Sequence, residues 1–169
     1  MIPLDRKELI NLRTNVEKRD EKERRIVDKL DAFMNGNVSL YVPIKGEVNV
    51  FDDFKRYKHL YLPIVEDDET MNFYKFTGKL YKGTFSTYNP SNKTKVDPLD
   101  LDVIIVPLVG FYKTHRMGFG KGYYDRYLKK TKAIKIGVAF DCQEMDSMNI
   151  KKTDVAMDLI ITESRTIWK

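Results

Sequence analysis

One cysteine, Cys142, and two histidines, His59 and His115, are all the thiol and imidazole metal ligands in this chain of 169 residues. A lone thiol closes no internal disulfide and builds no cysteine zinc site, which suits a reducing, intracellular setting. Two histidines leave little room for a histidine metal cluster. Apolar runs of membrane-spanning length are also missing, and the N-terminus lacks the apolar core of a signal peptide. A soluble, cytoplasmic protein with no membrane partner is the expectation. Nor is there an internal repeat or a low-complexity tail.

What is present bounds the rest. The length suits one domain over residues 1–169 with a substantial core. Apolar residues at 42% are those of a folded globular chain, whereas 33% charged residues require a heavily solvated surface. The net charge of +5 favours an anionic partner, but only weakly, because both signs are interleaved along the chain.

Hydrophobic spacing predicts helices in two pieces over 5–34, with Leu9, Leu12 and Val16 in the first and Ile26, Leu30 and Phe33 in the second. Strands are predicted over 38–43, 59–65, 71–76, 101–107, 133–140 and 157–162, with a helical turn or more over 47–58 and a helix over 123–130. Residues 77–100, rich in Gly, Ser, Thr, Asn and Pro, read as an irregular surface stretch. The alternation of strand and helix implies an α/β fold: a single-domain three-layer α/β/α sandwich with a mostly parallel or mixed central sheet.

Between the strand ending at Pro107 and the helix starting at Tyr123 lies Arg116-Met-Gly-Phe-Gly-Lys-Gly-Tyr-Tyr-Asp125. Glycine permits close backbone approach and positive φ, so Gly118, Gly120 and Gly122 around Lys121, with Arg116 at the mouth, read as an anion-cradling loop. The spacing matches neither the phosphate-loop pattern nor the dinucleotide fingerprint. Asp125 reads either as a carboxylate complementing a helix dipole or, if the loop holds a polyphosphate, as a ligand of an intervening cation. A second carboxylate would then be needed. Asp158 is the candidate, because an unpaired carboxylate at the start of an apolar strand is costly. Glu47 stands just past a strand end, where open α/β sheets hold ligands, and reads equally as a helix N-terminal carboxylate. Tyr41, Phe111, Phe119, Tyr123 and Tyr124 are either core or stacking faces for a flat heteroaromatic substrate. Arg13, Lys18 and Arg19 read as a solvated helix face, and Cys142 as a passive thiol.

These residues carry a resemblance. Ile105-Val-Pro-Leu-Val-Gly-Phe111 followed by residues 116–128 resembles the 5-formyltetrahydrofolate cyclo-ligase family, whose pattern is Arg-Leu-Gly-x-Gly-x-Gly-Tyr-Tyr-Asp, with Met117 here in place of the leucine. Tyr41-Val-Pro-Ile-Lys-Gly-Glu47, Leu62-Pro63, Gly137-Val-Ala-Phe140 with Gln143, and Met157-Asp-Leu-Ile-Ile-Thr-Glu163 fall in the family's order. Near the N-terminus the family carries a lysine four residues before the arginine of a Leu-Arg pair. Leu12-Arg13 fits that pair while Leu9 stands at the lysine position, which leaves Lys7 or Arg6 to reach a phosphate.

The resemblance implies ATP- and Mg2+-dependent closure of 5-formyltetrahydrofolate, possible also in its polyglutamylated form, to 5,10-methenyltetrahydrofolate by a monomer. It assigns Lys121 and Arg116 to catalysis. ATP would meet Lys7, Arg13, Arg116, Met117, Gly118, Phe119, Gly120, Lys121, Gly122, Tyr123 and Tyr124. Folate would meet Val42, Glu47, Phe111, Phe119 and Tyr123, and Mg2+ would sit on Asp125 and Asp158. Two other readings compete: a sugar-phosphate isomerase-like enzyme that needs no ATP, and a basic nucleic-acid-binding protein. No basic-aromatic module supports the latter, so no nucleic-acid partner is expected.

Overall fold

A computed structural model describes residues 4–84 and 87–169. Its centre is a seven-stranded sheet in the order β11-β10-β9-β6-β1-β2-β3. The strands are β1 (Val38–Ser39), β2 (Leu60–Val65), β3 (Met71–Lys75), β6 (Val103–Pro107), β9 (Ile134–Val138), β10 (Leu159–Ile161) and β11 (Thr166–Trp168). The middle of the sheet, from β10 through β9, β6 and β1 to β2, is parallel, and β3 and β11 close its two edges antiparallel. The expectation of a mixed sheet in a three-layer α/β/α sandwich holds.

Parallel strands covered on both faces need apolar residues of both parities, and β6 supplies them. Val103 and Ile105 join one core with Leu40, Leu62, Ile136, Val138 and Ile161, covered by α2 (Arg19–Leu30) and α3 (Phe51–Phe54). Ile104 and Val106 join a second core with Phe73, Phe111, Ile160 and Met157, covered by α4 (Tyr123–Leu128) through Tyr127 and Leu128. α1 (Arg6–Thr14) starts at a capping box, in which the Asp5 carboxylate accepts from Glu8 N–H at 2.8 Å and Glu8 accepts from Asp5 N–H at 3.2 Å. Leu9 anchors α1 against Val109 and Met145.

Several expected elements are shorter than their hydrophobic runs. The strand expected over 38–43 keeps only Val38–Ser39 in the ladder, and the helix expected over 47–58 is reduced to Phe51–Phe54. Residues 77–100 are more ordered than expected, with β4 (Leu80–Lys82) and β5 (Tyr88–Pro90) pairing as an antiparallel ribbon. Residues 85–86 of that stretch lie outside the described residues. A further hairpin, β7 (Gly110–Tyr112) with β8 (His115–Met117), leads into the glycine loop. Among the described residues no helix is long and apolar enough to cross a membrane.

The chain leaves β1 for β2 on one side, while β6 flanks β1 on the other. This is the reversal of strand order at which open α/β sheets form a crevice beyond the carboxyl ends of their strands. The loop carrying Glu47 follows β1, and the hairpin and glycine loop follow β6. Because Ile105 is fully buried at the centre of this arrangement, Ile105→Ala should cost about 2–5 kcal/mol, read as a lower denaturant midpoint at unchanged slope.

Candidate active site

The wall after β1 is a tight turn. Lys45 and Gly46 both take positive φ, +48° and +79°, and Glu47 N–H closes back on Ile44 C=O at 3.0 Å. The Glu47 carboxylate folds inward over the turn, accepts from Ile44 N–H at 2.9 Å and is only 6% exposed. Burial pushes its pKa from the ordinary 4.5 up to about 7, against the opposing pull of Ile44 N–H and of the Arg13, Arg116 and Lys45 charges. Tyr41 is buried beside it, with its hydroxyl donating to Val48 C=O at 2.5 Å. Val42 is half-buried and packs against the first core.

The opposite wall is the glycine loop. Arg116 leaves β8 with Nη2 3.3 Å from Pro107 C=O and its guanidinium carbon 5.2 Å from the Tyr124 ring centroid. A Cβ at Gly118 would stand 2.5 Å from that same Nη2, so the first glycine makes room for the arginine. Gly120 has φ +93° and would direct a Cβ toward the Arg6 guanidinium. Arg6 reaches across from α1 and donates Nε–H to Gly118 C=O at 2.6 Å. Lys121 is exposed at the loop's outer edge.

Arg13 roofs the crevice. It is fully buried, donating from Nε to Lys45 C=O and from Nη1 to Leu108 C=O, each at 2.9 Å, so one guanidinium joins the two walls. The Phe119 ring, 40% exposed, lies 5.5 Å from the Arg13 guanidinium carbon. Burial lowers the pKa of Arg13 and of Arg116, and Glu47 works against the shift in both. The Tyr124 phenol is pushed up, first by burial and then by Glu47. Arg13 Nη2, Arg116 Nε and the Tyr124 hydroxyl are buried with no hydrogen-bond partner among the described residues. Two cationic donors and a phenol left unsatisfied around one buried carboxylate are arranged for a polar, anionic ligand.

Other expected residues stand elsewhere. Phe111 is fully buried in the second core and presents no face to a ligand. The Tyr123 hydroxyl donates to Asp67 C=O at 3.1 Å beneath the Arg126 guanidinium, which turns the side chain toward the β2–β3 turn. Met117 packs toward Leu9, Val109 and Met145. Lys7 lies on the exposed face of α1, and its neighbour Arg6 makes the loop contact. Asp158 corrects the expectation of a free carboxylate: it accepts from Lys135 N–H at 2.8 Å at the opening ends of β9 and β10, away from the strand ends that carry the crevice. A carboxylate closer to Asp125 along this loop is Asp154, which itself accepts from Lys151 N–H at 2.8 Å. Val155 N–H, the next along the chain, donates to Asp125 at 3.2 Å, and both aspartates act on the Arg116 charge. Asp154 sits in a polar loop without periodicity, so no pattern in the sequence marks it.

Glu47 provides a measurable signature. A carboxyl whose folded pKa exceeds its unfolded value keeps its proton when folded after the unfolded chain has lost it, so stability falls as pH rises through that window. Between pH 4.5 and about 7, unligated wild type should therefore lose stability relative to Glu47→Gln, with the difference levelling above about 7. Urea unfolding of both proteins across that range checks this, and a difference independent of pH would contradict the buried, protonated Glu47.

The sequence and the fold both have relatives of known family. Residues 4–163 match the 5-formyltetrahydrofolate cyclo-ligase family. A 5-formyltetrahydrofolate cyclo-ligase of Mycoplasma genitalium is 36% identical over 152 residues, 82% of each chain, and that of Escherichia coli is 27% identical over 150 residues. Among solved structures, the 5,10-methenyltetrahydrofolate synthetase of Aquifex aeolicus superposes with a TM-score of 0.82 at 32% identity, covering 96% of this chain and 90% of the other. The synthetase of Mycoplasma pneumoniae gives 0.76 at 30% identity, covering 94% and 96%. Sequence and fold agree over nearly the whole length, and this chain belongs to the 5-formyltetrahydrofolate cyclo-ligase family.

Proposed function

We propose that the protein closes 5-formyltetrahydrofolate to 5,10-methenyltetrahydrofolate at the expense of ATP, in the crevice between the β1 turn and the glycine loop. The observation that carries this reading is the set of unsatisfied buried donors on Arg13, Arg116 and Tyr124 facing Glu47. An anhydride polyphosphate and a pterin together offer the acceptors and donors that such a set lacks.

A formamide oxygen leaves poorly, so the reaction needs activation. In this reading the formyl oxygen attacks the γ-phosphorus and the bond to ADP breaks. N10 then attacks the formyl carbon, the carbon–oxygen bond breaks with departure of phosphate, and N10 loses its proton. Transfer of this kind depends on positioning and charge stabilisation rather than on a protein nucleophile. Arg116 and Arg6 flank the loop backbone at Gly118 and Gly120 and would hold the phosphates, with Lys121 at the outer edge. Glu47 would accept from the pterin N–H groups, a contact that favours its ionised form, while Val42 packs beneath and Tyr124 lines the nucleotide side.

The acidic pair fits Mg2+. Among the described residues no group of three or more His, Cys, Asp or Glu is placed to hold a metal, and in this reading the protein's share falls to two carboxylates, Asp125 and Asp154, both of which act on Arg116. That number suits an ion which takes its remaining ligands from phosphate oxygens and water. When bound, Mg2+ would offset the repulsion between these carboxylates and the polyphosphate and neutralise charge on the phosphoryl oxygens.

Near-ultraviolet absorbance of the methenyl product, followed with and without MgATP, tests the reading. Product should form only when both substrates are present, and turnover without ATP would overturn it. Asp154→Asn should raise the Mg2+ concentration needed for half-maximal rate on the order of tenfold or more, whereas Asp158→Asn should leave it unchanged. The reverse pattern would return the second metal carboxylate to Asp158.

A further inference from the structure

Lys45 is not accounted for by the reaction. Its backbone takes φ +48°, an uncommon choice for a lysine, held by the tight turn and by the Arg13 bond to its carbonyl. The ammonium lies 5.2 Å from the Phe119 ring centroid and forms no ion pair among the described residues. The turn thus fixes a free cation on the wall that carries Val42 and Glu47, whereas Arg116 and Lys121 stand on the opposite wall and Arg6 reaches that wall from α1. Across the two walls three chemistries stand together: a buried carboxylate, Glu47, an exposed ammonium, Lys45, on the same turn, and the partly exposed Phe119 ring that the glycine loop brings to 5.2 Å from that ammonium.

The geometry points to Lys45 as a specificity residue that reads the carboxylates of the folate glutamate tail. The inference rests on the proposed function and names a subsite of that same crevice. The substrate presents the complementary sequence: a pterin rich in N–H donors, an aminobenzoyl ring and an anionic glutamate. With the pterin on Glu47 and the ring against Phe119, the tail leaves the crevice beside Lys45. An ammonium near a solvent-exposed carboxylate contributes modestly and is screened by salt, so its effect belongs in substrate binding rather than in the chemical step.

Chemical deletion of the tail tests this. Initial rates with 5-formyltetrahydrofolate and with 5-formyltetrahydropteroate, which lacks the glutamate, are compared in wild type and in Lys45→Ala at saturating MgATP. Lys45→Ala should raise KM for the folate about 2- to 5-fold, with the loss in KM rather than in kcat, and should leave KM for the pteroate unchanged. Lys45→Arg should restore the folate KM, and the salt dependence of that KM should flatten in Lys45→Ala. Equal losses on both substrates, or a loss that appears instead in KM for ATP, would place Lys45 elsewhere and overturn the proposal. If wild type turns over neither substrate, the cyclo-ligase reading itself fails and this inference with it, an outcome distinct from turnover of both without discrimination.

Discussion

A single buried guanidinium holds the crevice together. Arg13 binds Lys45 C=O with Nε–H and Leu108 C=O with Nη1–H, and those carbonyls belong to the loops that leave the adjacent strands β1 and β6. The strands are parallel neighbours, but nothing in their ladder dictates how far apart the loops beyond them stand. Arg13 sets that separation. Burying its charge is unfavourable, and is offset here by two carbonyls, the nearby Glu47 and the Phe119 face. A second arginine supports the first: Arg19 donates to Arg13 C=O at 2.5 Å and to Gly46 C=O at 3.2 Å, lies over Phe140 and pairs with Glu23 at 3.1 Å. Glu23 in turn accepts from Asn49 N–H at 2.6 Å, so the corner between α1 and α2 grips the whole β1 turn.

This frame leaves the site electrostatically incomplete. Arg13 Nη2 and Arg116 Nε are desolvated without acceptors, and Glu47 is desolvated with Ile44 N–H donating to its carboxylate. Their opposite charges offset part of that cost, because charges interact more strongly in a low-dielectric crevice than in water, yet burial still leaves Glu47 pushed up and both guanidinium groups lowered. A ligand bringing both phosphate oxygens and N–H donors relieves all of them at once. Under the proposed function, binding of either half alone would relieve only part, which would couple the nucleotide and pterin sides without any moving element.

How much of this was legible in the sequence depended on whether a signal was local. Val103 to Pro107 and Leu159 to Ile161 read correctly as buried strands because parallel strands covered on both faces need unbroken apolar runs. The hairpin of β7 and β8 escaped because its three-residue strands mix glycine, aromatics and charge, with no period to detect. At the site, the glycine motif and Glu47 were visible because each acts through its own segment. Arg13 looked like a solvated face residue, since its burial depends on Leu108, 95 positions away. Phe111 and Phe119 carry the same side chain in the same stretch, and only tertiary packing separates the fully buried one from the 40% exposed one. Asp158 stands out in the sequence for a related reason: a carboxylate ahead of an apolar strand is costly unless paired, and the backbone N–H of Lys135, a distant residue, supplies that pair, whereas Asp154 carries no local signal.

The glycine loop also departs from the usual phosphate cradle in where its positive charge originates. In phosphate loops much of the field comes from backbone N–H groups and the dipole of a long following helix. Here α4 has six residues and begins beyond Gly122 with no side-chain cap, so its dipole is weak. Side chains compensate: Arg116 from the hairpin and Arg6 from α1 converge on Gly118 and Gly120, where side-chain-free backbone admits guanidinium groups at short range. The alternate-glycine spacing therefore serves the approach of arginines as well as the proposed approach of phosphate. Since one of those arginines lies on the N-terminal helix and the other on the hairpin, the two converge only when α1 docks, and that docking is held by Leu9 and Arg13. Loop chemistry and helix packing are in this way one constraint, expressed through the guanidinium groups of Arg6, Arg13 and Arg116.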